Sequence, residues 1–95
     1  MVNRDDVNWD TVSYVISSEV RLKVLIHLIR NASTPTNLSE KLSEPMSRIS
    51  TTLRELMEIG AIECLTPERR KGKIYQATEK GKKIIEVIHN MTDIR

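Results

Sequence analysis

Cysteine is nearly absent from this chain. Cys64 is the only one in 95 residues, so neither an intrachain disulfide nor a cysteine-built metal site is available. Aromatics are almost as scarce: there is no Phe, and Trp9, Tyr14 and Tyr75 complete the set. Proteins that hold single-stranded nucleic acid stack bases on aromatic platforms, which three scattered rings do not supply. Gly60, Gly72 and Gly81 are the only glycines and stand alone, which removes a glycine-rich phosphate loop. No apolar run approaches the roughly 20 residues of a membrane span. The polar start Asn3-Arg4-Asp5-Asp6 is unlike a signal peptide, so a cytoplasmic protein without membrane contact is expected.

Catalytic chemistry finds no foothold either. His27, His89 and Cys64 lie far apart, without the close pair spacing that builds zinc sites. Asp5, Asp6 and Glu68 have no companion His or Ser in a recognisable order. The expectation is a non-enzyme with no metal and no cofactor.

What remains is a single small domain spanning 1–95, with 39% hydrophobic and 29% charged residues, a globular composition. A chain this short buries a modest share of its unfolded surface and gains much from a partner subunit. The net charge of +2 conceals an uneven distribution. Residues 45–83 carry nine basic and five acidic side chains, while the segments on either side are each slightly acidic. A localised positive excess suits a polyanionic partner.

Periodicity supplies the elements. Val20, Val24, Leu25, Leu28 and Ile29 recur at helical spacing over about 18–30, with Arg21 and Lys23 facing away. Ser17 or Ser18 can cap this helix. Residues 31–35 read as a turn with room for a very short strand. A short helix is expected over Thr36–Ser43, capped by Thr36, with Leu38 and Leu42 on one face. Pro45 ends that pattern, and a further helix over Met46–Ile59 turns Ile49, Leu53, Leu56 and Met57 inward. Gly60 stands where a helix C-terminal cap belongs. Strands over Ala61–Thr66 and Lys73–Ala77 flank a polar loop and form a hairpin. Thr78 caps a last helix that runs to about Met91, and Val7–Ile16 reads as a weaker helix. The fold class is mainly α with a small β-hairpin: a helix-turn-helix followed by a wing.

Candidate contacts follow from that order. The helix over 46–59 presents Ser47, Arg48, Ser50, Thr51 and Arg54 outward. Arginine pairs bidentately with guanine, hydroxyls serve bases or phosphates, and small neighbours permit close approach to the major-groove floor. Arg48 and Thr51 are the candidates for base contact and Arg54 for phosphate. The hairpin tip over 67–73 carries Arg69, Arg70, Lys71 and Lys73 beside Gly72, suited to the backbone or an adjacent minor groove. Terminal segments, about 5–16 and 79–92, carry more apolar surface than a small core needs. Trp9, Val12, Ile84, Ile88 and Met91 are the expected interface of a homodimer whose two copies would read half-sites about 34 Å apart.

The stretches Leu38–Leu42 and Ser47–Ile62, with Tyr75-Gln76-Ala77-Thr78-Glu79-Lys80-Gly81, resemble winged helix-turn-helix regulators of the ArsR and MarR type. The likeness covers about 17–88, and the Arg-Arg-Lys-Gly-Lys wing is similar to that of small archaeal members. The resemblance implies a transcriptional regulator that binds specific sequences in double-stranded DNA. It adds Thr36 and Asn37 as phosphate contacts. Three departures stand out. There is no Cys cluster at the helix-turn-helix, so metal sensing is not implied. Ala77 replaces the usual Leu. Glu44 replaces an apolar turn residue, which leaves Met46 to fill that role and puts a carboxylate where phosphate would approach. The alternative function is a winged-helix protein-interaction subunit of a transcription or replication assembly, because folds are reused. Dimer helices can form an effector pocket, but no residue specifies a ligand.

Overall fold

The computed structural model describes residues 7–92; the polar start at 3–6, and with it the beginning of the expected terminal segment, lies outside them. Among the described residues the order is α1 (Trp9–Ile16), α2 (Glu19–Arg30), α3 (Pro35–Leu42), α4 (Met46–Glu58), β1 (Ile62–Cys64), β2 (Tyr75–Ala77) and α5 (Glu79–Thr92). The two strands pair antiparallel, with Ile62 opposite Ala77 and Cys64 opposite Tyr75.

Helix α2 is the spine of the domain and meets every other helix and the hairpin. Its apolar stripe explains this: Val20, Val24, Leu25 and Leu28 are all buried, one turn apart on one face. Arg21 and Lys23 do not face away as expected. Both are part-buried and engaged in ion pairs, because the helices packed along α2 enclose its flanks as well as its apolar stripe. Ser18 caps the helix by accepting from the Arg21 amide at 3.2 Å.

Helix α4 turns Ile49, Thr52, Leu53 and Leu56 into the core. Those positions follow the i, i+3, i+4, i+7 spacing of one face. Met57, expected among them, lies one residue further round and is 43% exposed; Thr52 takes the inward position. Helix α1 packs on both α2 and α5, burying Val12 and Val15. Ile84 and Ile88 of α5 join the same core cluster. Three residues expected at a dimer interface, Val12, Ile84 and Ile88, are therefore used within the subunit, at 1%, 0% and 9% exposure. Trp9 at 62% and Met91 at 37% remain exposed.

The hairpin strands are shorter than their apolar patterns suggest. Leu65 still donates to the Ile74 carbonyl at 2.7 Å, but the Ile74 amide is taken by the Thr66 hydroxyl at 3.0 Å. Pro67, next in sequence, has no amide to continue the ladder. Ser33 in the α2–α3 connection adds a bridge to Tyr75, the very short strand expected there.

Candidate nucleic-acid interface

The helix-turn-helix is set by a proline, a left-handed residue and a hydroxyl. Helix α3 starts one residue earlier than its pattern implied. Pro35 occupies the first turn, where its fixed φ is pre-organised, and the cap is Thr34, whose hydroxyl accepts from the Asn37 amide at 3.2 Å. Thr36, expected as the cap, is instead exposed on the first turn. Asn37 is half-buried and donates its side-chain amide to the Ser33 hydroxyl at 3.4 Å. That hydroxyl also meets His27 Nε2 at 3.0 Å, so α2, α3 and the wing strand share one polar junction.

Helix α3 ends at Ser43, whose φ of 55° and ψ of 47° lie in the left-handed region. A non-glycine residue there costs about 1 kcal/mol. Bonds across the turn offset this: the Glu44 amide donates to the Ser39 carbonyl at 3.1 Å, and the Ser39 hydroxyl donates to the Glu44 carbonyl. Pro45 then caps α4 through its carbonyl, which accepts from the Arg48 and Ile49 amides.

On α4 the outward face comprises Ser47, Arg48, Ser50, Thr51 and Arg54, all exposed. Ser47, Ser50, Thr51 and Arg54 form one stripe, and Arg48 sits beside it near the turn. Met46 is 45% exposed, so it is not the buried anchor expected in place of an apolar turn residue. Glu44 is not the bare carboxylate it looked like. Its side chain is 18% exposed and meets Lys23 Nζ at 3.0 Å and Arg48 Nε at 3.8 Å.

The wing presents Arg69, Arg70 and Lys71 exposed, with Lys73 half-buried at its base. Arg69 folds back to donate to the Gly72 carbonyl at 3.3 Å, and Gly72 supplies the positive φ of 65° that the tip requires. At the wing base burial, and secondarily Cys64, pushes the Tyr75 phenol above its usual value. Between α4, the start of α3 and Tyr75 at the wing base lies an open groove of about 490 Å³ lined by Pro35, Ser50, Leu53, Arg54, Met57, Glu58 and Tyr75. Ser47, Arg48 and Thr51 line a separate concavity of about 400 Å³ with Ser18, Arg21, Pro45 and Glu55.

Sequence reasoning missed the bracket that holds α4 from behind. Arg21 on α2 donates from Nε to Glu55 at 3.0 Å, and from Nη1 to the Tyr14 carbonyl at 2.7 Å and the Ser17 hydroxyl at 3.0 Å. Its guanidinium also lies 3.7 Å above the Tyr14 ring. The hydrogen bond to Glu55 raises the Arg21 pKa, against the opposing effect of burial. Arg21→Ala is expected to cost about 2 kcal/mol, read as a lower denaturant midpoint. In a double-mutant cycle much of that loss should disappear when Glu55 is already Ala.

Among the described residues no cluster of His, Cys, Asp and Glu could hold a metal ion, and no helix is long and apolar enough to cross a membrane. Comparison with solved structures identifies the architecture. A MarR family transcription regulator superposes with a TM-score of 0.71 at 25% identity, covering 87% of this chain and 59% of that one. The transcriptional regulator SlyA gives 0.69 at 21%, covering 90% and 61%. The transcriptional repressor BigR from Xylella fastidiosa gives 0.67 at 21%, covering 90% and 87%. The fold is a winged helix-turn-helix.

This winged helix thus spans about 60% of the length of the first two neighbours. No family model matches its sequence, and no curated protein does. The three structural neighbours are transcription regulators rather than enzymes.

Proposed function

We propose that this winged helix is a cytoplasmic transcriptional regulator that reads double-stranded DNA as a homodimer, akin to MarR proteins and to the small archaeal ArsR-like type. The observation that carries the reading is the exposure of two polar, cation-bearing sets, one on the second helix of the helix-turn-helix and one on the wing. Ser50 and Arg54 on α4 line the groove that reaches the wing base at Tyr75. Ser47, Arg48 and Thr51 stand exposed along the neighbouring concavity beside the turn. The wing carries Arg69, Arg70 and Lys71 in solvent with Lys73 at its base. In this reading α4 enters the major groove with Arg48 and Thr51 on base edges and Arg54 on phosphate. The wing lies on the backbone or in the adjacent minor groove. Thr36 is exposed and suited to a phosphate, and Asn37, with one amide hydrogen on Ser33, retains a second to donate.

Dimerisation draws on the two terminal helices. Trp9 and Ile16 on α1 and Met91 on α5 keep exposed apolar surface that the subunit core does not cover, and helices that already pack together can join a second pair. Duplex DNA titrated at low salt tests the function. Binding at micromolar protein or tighter is expected even for an arbitrary sequence, since non-specific affinities of this kind are set by phosphate charge. Failure to bind any duplex there would refute the proposal.

A further inference from the structure

We propose that Glu44 is a positioning residue: it orients the Arg48 guanidinium for base reading rather than opposing DNA. This inference rests on the DNA-reading function proposed above. Three facts carry it. Glu44 is the fixed partner, 18% exposed and tied to Lys23 Nζ at 3.0 Å, whereas Arg48 is 61% exposed. The contact to Arg48 is made at Nε, 3.8 Å from Glu44 Oε1. The carboxylate therefore engages Arg48 by charge at Nε, with no hydrogen bond to the terminal Nη groups, the fork that pairs with guanine O6 and N7. The backbone of Glu44 is held separately, through its amide and carbonyl on Ser39, so the turn does not depend on the carboxylate.

The electrostatics agree. Lys23, Glu44 and Arg48 together carry one net positive charge, so the cluster still attracts phosphate. A long arginine on an exposed helix face samples many rotamers, and fixing it before contact removes part of the ordering cost of binding. An acidic neighbour 3.8 Å from Nε biases the arginine towards one set of rotamers at the expense of a little non-specific attraction. The carboxylate would thus trade affinity for selectivity.

The two roles separate by experiment. The full chain and its variants are titrated with the preferred duplex, with single-base variants of it, and with an arbitrary duplex. If Glu44 merely repelled DNA, Glu44→Ala would tighten binding to all of these alike. The positioning role instead predicts that binding to the arbitrary duplex is unchanged or tighter, while the preference at one base position falls by about five-fold or more. That position is the one relaxed by Arg48→Ala, and in the Arg48→Ala background Glu44→Ala adds nothing further there. Glu44→Gln keeps the shape but removes the charge that draws Nε, and should lose about as much of the preference as Ala, whereas Glu44→Asp should retain more of it. An unchanged base profile, or an equal change at all positions, overturns the inference while leaving DNA reading in place. Absence of duplex binding by the unmodified chain overturns both.

Discussion

Replacing Gly81 with Ala is expected to unfold this protein at a temperature roughly 12–24 °C below that of the unmodified chain, reflecting a loss of about 3 kcal/mol. In an ordinary helix the same change gains up to about 1 kcal/mol, because glycine is a poor helix former. Here the sign reverses. A Cβ on Gly81 would stand 2.2 Å from the Ala61 carbonyl oxygen and 3.1 Å from Leu25 Cδ1. The carbonyl cannot retreat freely, since it accepts from the Thr78 amide at 3.0 Å. The Thr78 hydroxyl donates to the Gly60 carbonyl at 2.6 Å and accepts from the Gly81 amide at 3.2 Å. Thr78 and Gly81 therefore lock the start of α5 onto the entrance to β1, the corner from which the wing projects. Gly72→Ala is the control: nothing lies within 4 Å of its added Cβ, and only the left-handed backbone is strained, at about 1 kcal/mol. Thermal unfolding of the two variants side by side checks this, and comparable midpoints would show that the close approach is not limiting.

The second large effect concerns the wing. Changing Arg69, Arg70, Lys71 and Lys73 together to Ala is expected to weaken binding to every duplex by roughly one to two orders of magnitude at moderate salt. It should also flatten the log–log salt dependence by about 0.9 for each cation that had met a phosphate. The base preference should survive, because it resides on α4. The melting temperature should change little, since Arg69, Arg70 and Lys71 are solvent-exposed and the hairpin is held by the Ile62–Ala77 and Cys64–Tyr75 pairs and the Ser33 bridge. An unaltered salt slope would mean that these charges serve solubility and edge protection instead.

How far the sequence discloses this arrangement depends on the range of each interaction. Helices α2 and α4 are legible because their apolar residues repeat within one or two turns, and the left-handed cap at Gly60 because only glycine enters that region at little cost. The start of α3 is ambiguous by one residue, since Thr34 and Thr36 are equally good caps and Pro35 decides between them. The strand ends are not legible: a side-chain hydroxyl, Thr66, displaces the ladder, and no alternation pattern registers that. The exposed candidate residues on α4 are readable as the complement of its buried stripe. The Arg21–Glu55 bracket is invisible because its partners are 34 positions apart, and each alone reads as an ordinary solvated charge. Glu44 misleads for the same reason, its neutralising partner Lys23 being contributed by a different helix. Apolar surplus on the terminal helices was an ambiguous signal. Val12, Ile84 and Ile88 close the subunit's own core, and of the five residues expected at an interface Trp9 and Met91 keep exposed apolar surface, joined on α1 by Ile16.

The central claim is that α4 reads base sequence in duplex DNA, with two copies acting together. Selection of bound sequences from a pool of random duplexes by the purified chain tests it most directly. The expected result is an enriched inverted repeat, its half-sites centred about 10–10.5 base pairs apart or a multiple of that. A pool that stays random after repeated rounds at low salt would contradict it.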